Sequence, residues 1–125
     1  MQVDLVPDSF PQSTLFQLQN TIADRKRAAG SAGGSEGKPS WTAKLLDDPV
    51  LLCEKVREEA NELCEALENR EGKERVASEM ADVLYHSMVL LGHQQVPMED
   101  VLAILRKRFA TSGIEEKASR RSGDK

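Results

Sequence analysis

The sequence predicts an all-α fold, an antiparallel bundle of about four to five helices completed by dimerisation. Three observations lead there. Aromatic residues make up only 4% of the 125-residue chain, against 39% apolar residues in all, so the core must be built from Leu, Val, Ala and Met. That composition favours helices over sheets. Apolar positions recur every three or four residues, and no stretch alternates apolar with polar as a half-buried strand does.

Residues 1–12, with Pro7 and Pro11, read as an irregular leader ahead of a domain spanning 13–113. Leu15, Leu18 and Ile22 recur at helical spacing and predict a short amphipathic helix that fades near Arg27. The Gly/Ser-rich stretch 28–40 reads as a flexible connector. Ser40 is placed to cap a short helical turn, SWTAKLL. Asp48-Pro49 marks the start of a long helix that runs to about Asn69 and is broken by Gly72. A further helix is expected from about Lys73 to Leu91, ended by Gly92. Pro97 then opens the last one, with Met98, Val101, Leu102, Leu105 and Phe109 on one face and an end near Gly113. Residues 114–125 form a basic, polar tail.

The net charge of −4 conceals a split. Between Asp47 and Asp82 there are twelve acidic and five basic residues, whereas from Ala103 onward seven basic residues face three acidic. A negative centre with positive arms suits a site that holds cations centrally and phosphates at its rim. No basic patch is interleaved with aromatics, which argues against nucleic-acid binding. The longest apolar run, Met88 to Leu91, is too short for a membrane span, and no signal peptide is read at the start. Cys53 and Cys64 share a helix at a rise of about 1.5 Å per residue, roughly 16 Å apart and beyond disulfide reach. They read as reduced core residues on the apolar arc, which argues against cysteine nucleophiles, and neither lies at ligand spacing from a histidine, which argues against zinc.

The carboxylates carry the chemistry. At about 100° per residue, Leu52, Cys53, Val56, Ala60, Leu63, Cys64 and Leu67 fall in one apolar arc. Lys55, Glu58, Glu59 and Glu62 fall beside it, with Glu59 bordering the buried face and Glu58 farther out. Glu79 and Asp82 stand three residues apart on the next helix, and Asp82 is embedded in the apolar run MADVLYHSMVLL, so partial burial is expected there. An unpaired buried carboxylate is costly, and a cation removes the problem. Glu59, Glu62, Glu79 and Asp82 offer the hard oxygen ligands that magnesium prefers. The plainer alternative is a salt bridge to Lys55 or Arg75. His86, one turn beyond Asp82, is either a substrate contact or a satisfied core histidine.

EEANE (Glu58 to Glu62) followed by EMAD (Glu79 to Asp82) resembles the EExxE…ExxD signature of the all-alpha nucleotide pyrophosphohydrolases. SWTAKLL, KVREEANEL, EMADVLYH, MEDVLAILRKR and SGIEEKASR, in that order, are similar to the phosphoribosyl-ATP pyrophosphatase family, over about Thr14 to Arg121. Trp41 stands where that family often has Tyr, and the Gly/Ser connector is long. The resemblance implies hydrolysis of phosphoribosyl-ATP to phosphoribosyl-AMP and pyrophosphate, the second step of histidine biosynthesis, with magnesium on Glu59, Glu62, Glu79 and Asp82. For that reaction Glu58, the less buried acid by helical angle, is the candidate to position or deprotonate water, and Lys55, on the same arc as the acids, to stabilise the leaving pyrophosphate. Lys44, Lys117 and Arg120 become candidates to grip phosphates, and Trp41 to stack on a base, the alternatives being solvated charges and an edge-covering aromatic.

Short helices that complete their core by dimerising predict a homodimer, and the family implies, in some members, fusion to a phosphoribosyl-AMP cyclohydrolase. Bacterial cytoplasm and a plastid interior are both compatible compartments. Two other readings stay open. One is a house-cleaning (deoxy)nucleoside triphosphate pyrophosphatase with the same metal site. The other is a non-catalytic helical dimerisation module.

Overall fold

The computed structural model describes residues 11–30 and 40–110. They form five helices: α1 (Pro11–Gly30), α2 (Trp41–Leu46), α3 (Pro49–Glu68), α4 (Lys73–His93) and α5 (Met98–Phe109). The described residues contain no strand. The bundle expected from the apolar spacing is therefore what forms. Helix α1 is longer than its pattern indicated, reaching into both the leader and the connector.

Caps set the starts. Ser40 Oγ accepts from the Ala43 amide at 3.1 Å and opens α2. Asp48 Oδ1 accepts from the Leu51 amide at 3.1 Å, with Pro49 in the first turn of α3. Helix α5 borrows its cap from another helix, since the Met98 amide donates to Gln19 Oε1 of α1 at 2.5 Å.

The helix ends differ from the glycine stops that the sequence offers. At the end of α3, the Glu71 amide donates to the Ala66 carbonyl and the Arg70 amide to the Leu67 carbonyl, a Schellman closure with Arg70 at φ 54°. Helix α4 closes in the same way, through Val96 to Leu91 and Gln95 to Gly92, with Gln95 at φ 60°. Gly72 instead lies at the start of α4, at φ 102°, and Gly92 lies inside that helix. Gly92 is there because α1 presses on it: a Cβ at this position would come within 2.9 Å of Ile22 Cγ2. Gly92→Ala should therefore destabilise the fold by about 1–3 kcal/mol through overpacking, seen as a lowered Tm.

Every helix contributes to one core, formed by Ile22, Leu45, Leu52, Met88, Val89 and Met98. The four-residue connection makes α3 and α4 an antiparallel hairpin, and this pair has the most extensive packing. Its seam departs from the expected arc. The covered arc of α3 is centred on Leu52, Val56, Glu59, Leu63 and Ala66, with Leu51, Cys53, Lys55, Ala60 and Glu62 half-buried at its flanks, so the packed stripe is rotated by roughly 60° toward the acids. Cys64 and Leu67 are left outside it, with Leu67 75% exposed, so Cys64 is not the core residue expected and Cys53 is only half-buried.

Candidate metal centre

The rotated seam turns Glu59 inward. It lies on the α3 stripe that meets α4, where Glu79 projects from the opposite side and is only 3% exposed. Asp82 follows Glu79 by one turn. One carboxylate oxygen from each of Glu59, Glu79 and Asp82 lies within 4.8 Å of the others. A divalent cation spans such oxygens, directly or with a bridging water. Two oxygens make the case sharper. Glu59 Oε1 and Glu79 Oε1 are buried and have no hydrogen-bond partner, a condition that costs free energy unless something neutralises it.

The electrostatics agree. Burial pushes the Glu59 carboxyl above the usual 4.5, and the charges of Glu62 and Asp82 push it further. Burial likewise raises Glu79; Arg75 opposes the rise, while Glu62 and Asp82 add to it. Glu62, half-buried one turn along from Glu59, thus adds its charge to both. Arg75 Nη2 holds Glu79 Oε2 at 2.8 Å and its Nε holds Glu71 at 3.2 Å. Among the described residues this is the only salt bridge to any of the four expected ligands; His86 and Lys55 oppose part of the rise at Glu59 without forming one. A hard divalent cation fits this donor set, and the residues present could hold magnesium.

Asp82 is exposed, contrary to the burial expected from its apolar surroundings. The apolar residues that flank it in sequence, Met80, Ala81 and Leu84, project from other sides of α4, about 100–160° away, and are exposed themselves, so they do not cover it. The site is therefore walled at Glu79 and open at Asp82. Glu58 lies outside the cluster, where its Oε1 accepts from Lys55 Nζ at 2.8 Å. That bond is the largest cause of a raised Lys55 pKa; burial opposes it next, and the charges of Glu58, Glu59 and Glu62 add to the rise. Lys55 also lies 5.8 Å over the Trp41 ring. Trp41 and Lys44 are exposed on α2, whereas Lys117 and Arg120 lie outside the described residues.

Residues 16–109, three-quarters of the chain, match the family model described as phosphoribosyl-ATP pyrophosphohydrolase. The chain belongs to that family. It is 43% identical over 111 residues to a phosphoribosyl-ATP pyrophosphatase of Ruegeria sp., covering 87% of this chain and 97% of that one. The Dinoroseobacter shibae phosphoribosyl-ATP pyrophosphatase is 46% identical over 110 residues, covering 86% and 99%. A chloroplastic histidine biosynthesis bifunctional protein, hisIE, of Arabidopsis thaliana is 58% identical over 108 residues. That match covers 86% of this chain, which spans only 38% of the plant protein's length.

The family match contains all five helices apart from the first turns of α1, and with them the whole carboxylate cluster. His86 differs from a substrate contact in its surroundings. It is 6% exposed, with Nδ1 2.8 Å from the Asp82 carbonyl oxygen and Nε2 3.5 Å from Trp41 Nε1. The link from His86 to Trp41, and the 2.5 Å bond between Thr42 Oγ1 and Tyr85 Oη, were not anticipated. Residues more than 40 positions apart leave no local pattern to read. No described helix is long and apolar enough to cross a membrane.

Proposed function

We propose that this chain hydrolyses phosphoribosyl-ATP to phosphoribosyl-AMP and pyrophosphate in histidine biosynthesis, using magnesium held by Glu59, Glu62, Glu79 and Asp82. The observation that carries the proposal is the convergence of carboxylates from two helices around two buried, unpartnered oxygens. The relatives' names supply the substrate class. When bound, magnesium neutralises triphosphate charge and acidifies water.

The chain's own groups do the rest. Glu58, exposed beside the cluster, positions the attacking water and takes its proton. The bridging P–O bond between α and β phosphates breaks, and the pyrophosphate leaves with that electron pair. Lys55 stays protonated at neutral pH, because Glu58 and the neighbouring acids favour its charge, and it faces the departing pyrophosphate. Lys44, Lys117 and Arg120 are assigned to phosphate grip, and the exposed ring of Trp41 to the base.

Pyrophosphate release from phosphoribosyl-ATP, set against a panel of dNTPs with and without magnesium, tests the reading. Preference for phosphoribosyl-ATP is expected. A clear preference for any dNTP overturns it in favour of the house-cleaning reaction.

The uncovered side of the hairpin, with Leu67, Met80 and Leu84 exposed, supports a homodimer in which a second copy covers it. Light scattering should give twice the chain mass, falling to one chain in Leu67→Glu/Leu84→Glu. The plant relative supports cooperation with, or fusion to, a phosphoribosyl-AMP cyclohydrolase, and a plastid interior as one compartment.

A further inference from the structure

The first turn of α2 is fastened to α4 at two adjacent positions. Thr42 Oγ1 shares a hydrogen bond with Tyr85 Oη, and Trp41 Nε1 donates to His86 Nε2. The second contact fixes the imidazole proton. A backbone carbonyl only accepts, so His86 Nδ1, beside the Asp82 carbonyl, must carry the hydrogen. That leaves Nε2 bare, which suits an indole N–H that can only donate. One neutral tautomer satisfies both bonds. The Tyr85 ring adds a third constraint, edge-on to the imidazole with centroids 4.8 Å apart and planes at 80°.

The imidazole is thus held on three sides inside the fold, while the indole it holds is 42% exposed. Lys55 lies over that indole and reaches Glu58. A lysine ammonium on its four-carbon stem samples many positions unless ring and carboxylate partners narrow them. Contacts therefore run from the Asp82 carbonyl on α4, through His86 and Trp41, to Lys55 and Glu58 on α3.

We propose that His86 is a positioning residue: locked in its Nδ1–H tautomer, it fixes the plane of the Trp41 indole and thereby the place of Lys55 and Glu58. The inference rests on the function proposed above, in which Lys55 and Glu58 act on the substrate. It gives His86 no contact with substrate and no proton to transfer.

Trp41 is the chain's only tryptophan, so intrinsic fluorescence of the full protein reports it alone. Four variants form the test. His86→Phe keeps a ring but removes the acceptor, and Trp41→Phe keeps a ring face but removes the donor. The double variant removes both. His86→Gln supplies a carbonyl acceptor near the Nε2 position.

Each single Phe variant should lower kcat for phosphoribosyl-ATP roughly tenfold, the effect of one lost hydrogen bond, and in His86→Phe, which touches no substrate, KM should change little. The double variant should fall no further than the worse single one, because both break the same link. His86→Gln should restore most of the activity. In His86→Phe the Trp41 emission should shift to the red and become more sensitive to acrylamide, and in His86→Gln it should not.

Additive losses in the double variant, or unchanged emission in His86→Phe, overturn the positioning role. A wild-type chain that releases no pyrophosphate overturns the reading of the site instead. The emission measurement, which needs no substrate, still decides the His86–Trp41 link.

Discussion

Replacing Glu59 with Gln is expected to abolish magnesium-dependent turnover, by at least about 10³-fold, while leaving the helices intact. The size follows from what the ligand does. A carboxylate at the cation contributes to charge neutralisation at the triphosphate, and the amide that replaces it carries no charge. The sign on stability is opposite. Glu59 Oε1 is buried without a partner, and Glu62 and Asp82 repel its charge, so the neutral side chain relieves the apo fold. Loss of activity with an unchanged or raised Tm therefore distinguishes a ligand from a structural residue. Glu79→Gln should match it in activity. Its Tm should change less, because Arg75 already balances part of the Glu79 charge. Turnover retained within tenfold in both variants would remove the carboxylates from the reaction.

A second large effect is expected from magnesium itself. A ligand that binds only the native state at a hundredfold excess over its Kd adds about 2.7 kcal/mol. For a chain of this size that corresponds to a rise in Tm of roughly 10 °C. The effect should depend on pH in a set direction. Glu59 and Glu79 have raised pKa values when folded, so their contribution to apo stability is fully present below the ordinary 4.5. It is lost as pH rises through the raised values, where the folded site must give up its protons. Magnesium replaces those protons and becomes more effective over the same rise. Melts with magnesium and with a chelator, from below pH 4.5 to neutrality, should therefore diverge as pH increases. A gap that is constant with pH, or equal in Glu59→Gln, would contradict this.

The helices were legible because their period is local. Asp48-Pro49 and Ser40 announced their caps, and Leu15, Leu18 and Ile22 announced α1. The ends were less so, since Arg70 and Gln95 take up the left-handed conformation that glycine usually supplies. Gly92 looked like a stop, and its reason for being small lies on α1, 70 residues earlier.

The four carboxylates could be read from spacing on two helices, but their environment could not. Which edge of α3 faces α4 depends on packing, and the chosen edge buries Glu59 Oε1 and strands Leu67. Asp82 sits among apolar neighbours that a single chain leaves uncovered, so local hydrophobicity misjudged its exposure. The Trp41–His86 link joins α2 to α4 and belongs wholly to tertiary structure.

Manganese takes the same oxygen ligands as magnesium and is paramagnetic, so its free-ion signal reports binding without any substrate. Titrated into the full chain at neutral pH, it should bind saturably, be displaced by magnesium, and lose its site in Glu59→Gln and in Asp82→Asn. Wild type and Glu59→Gln titrating alike would show that these acids do not gather around a cation.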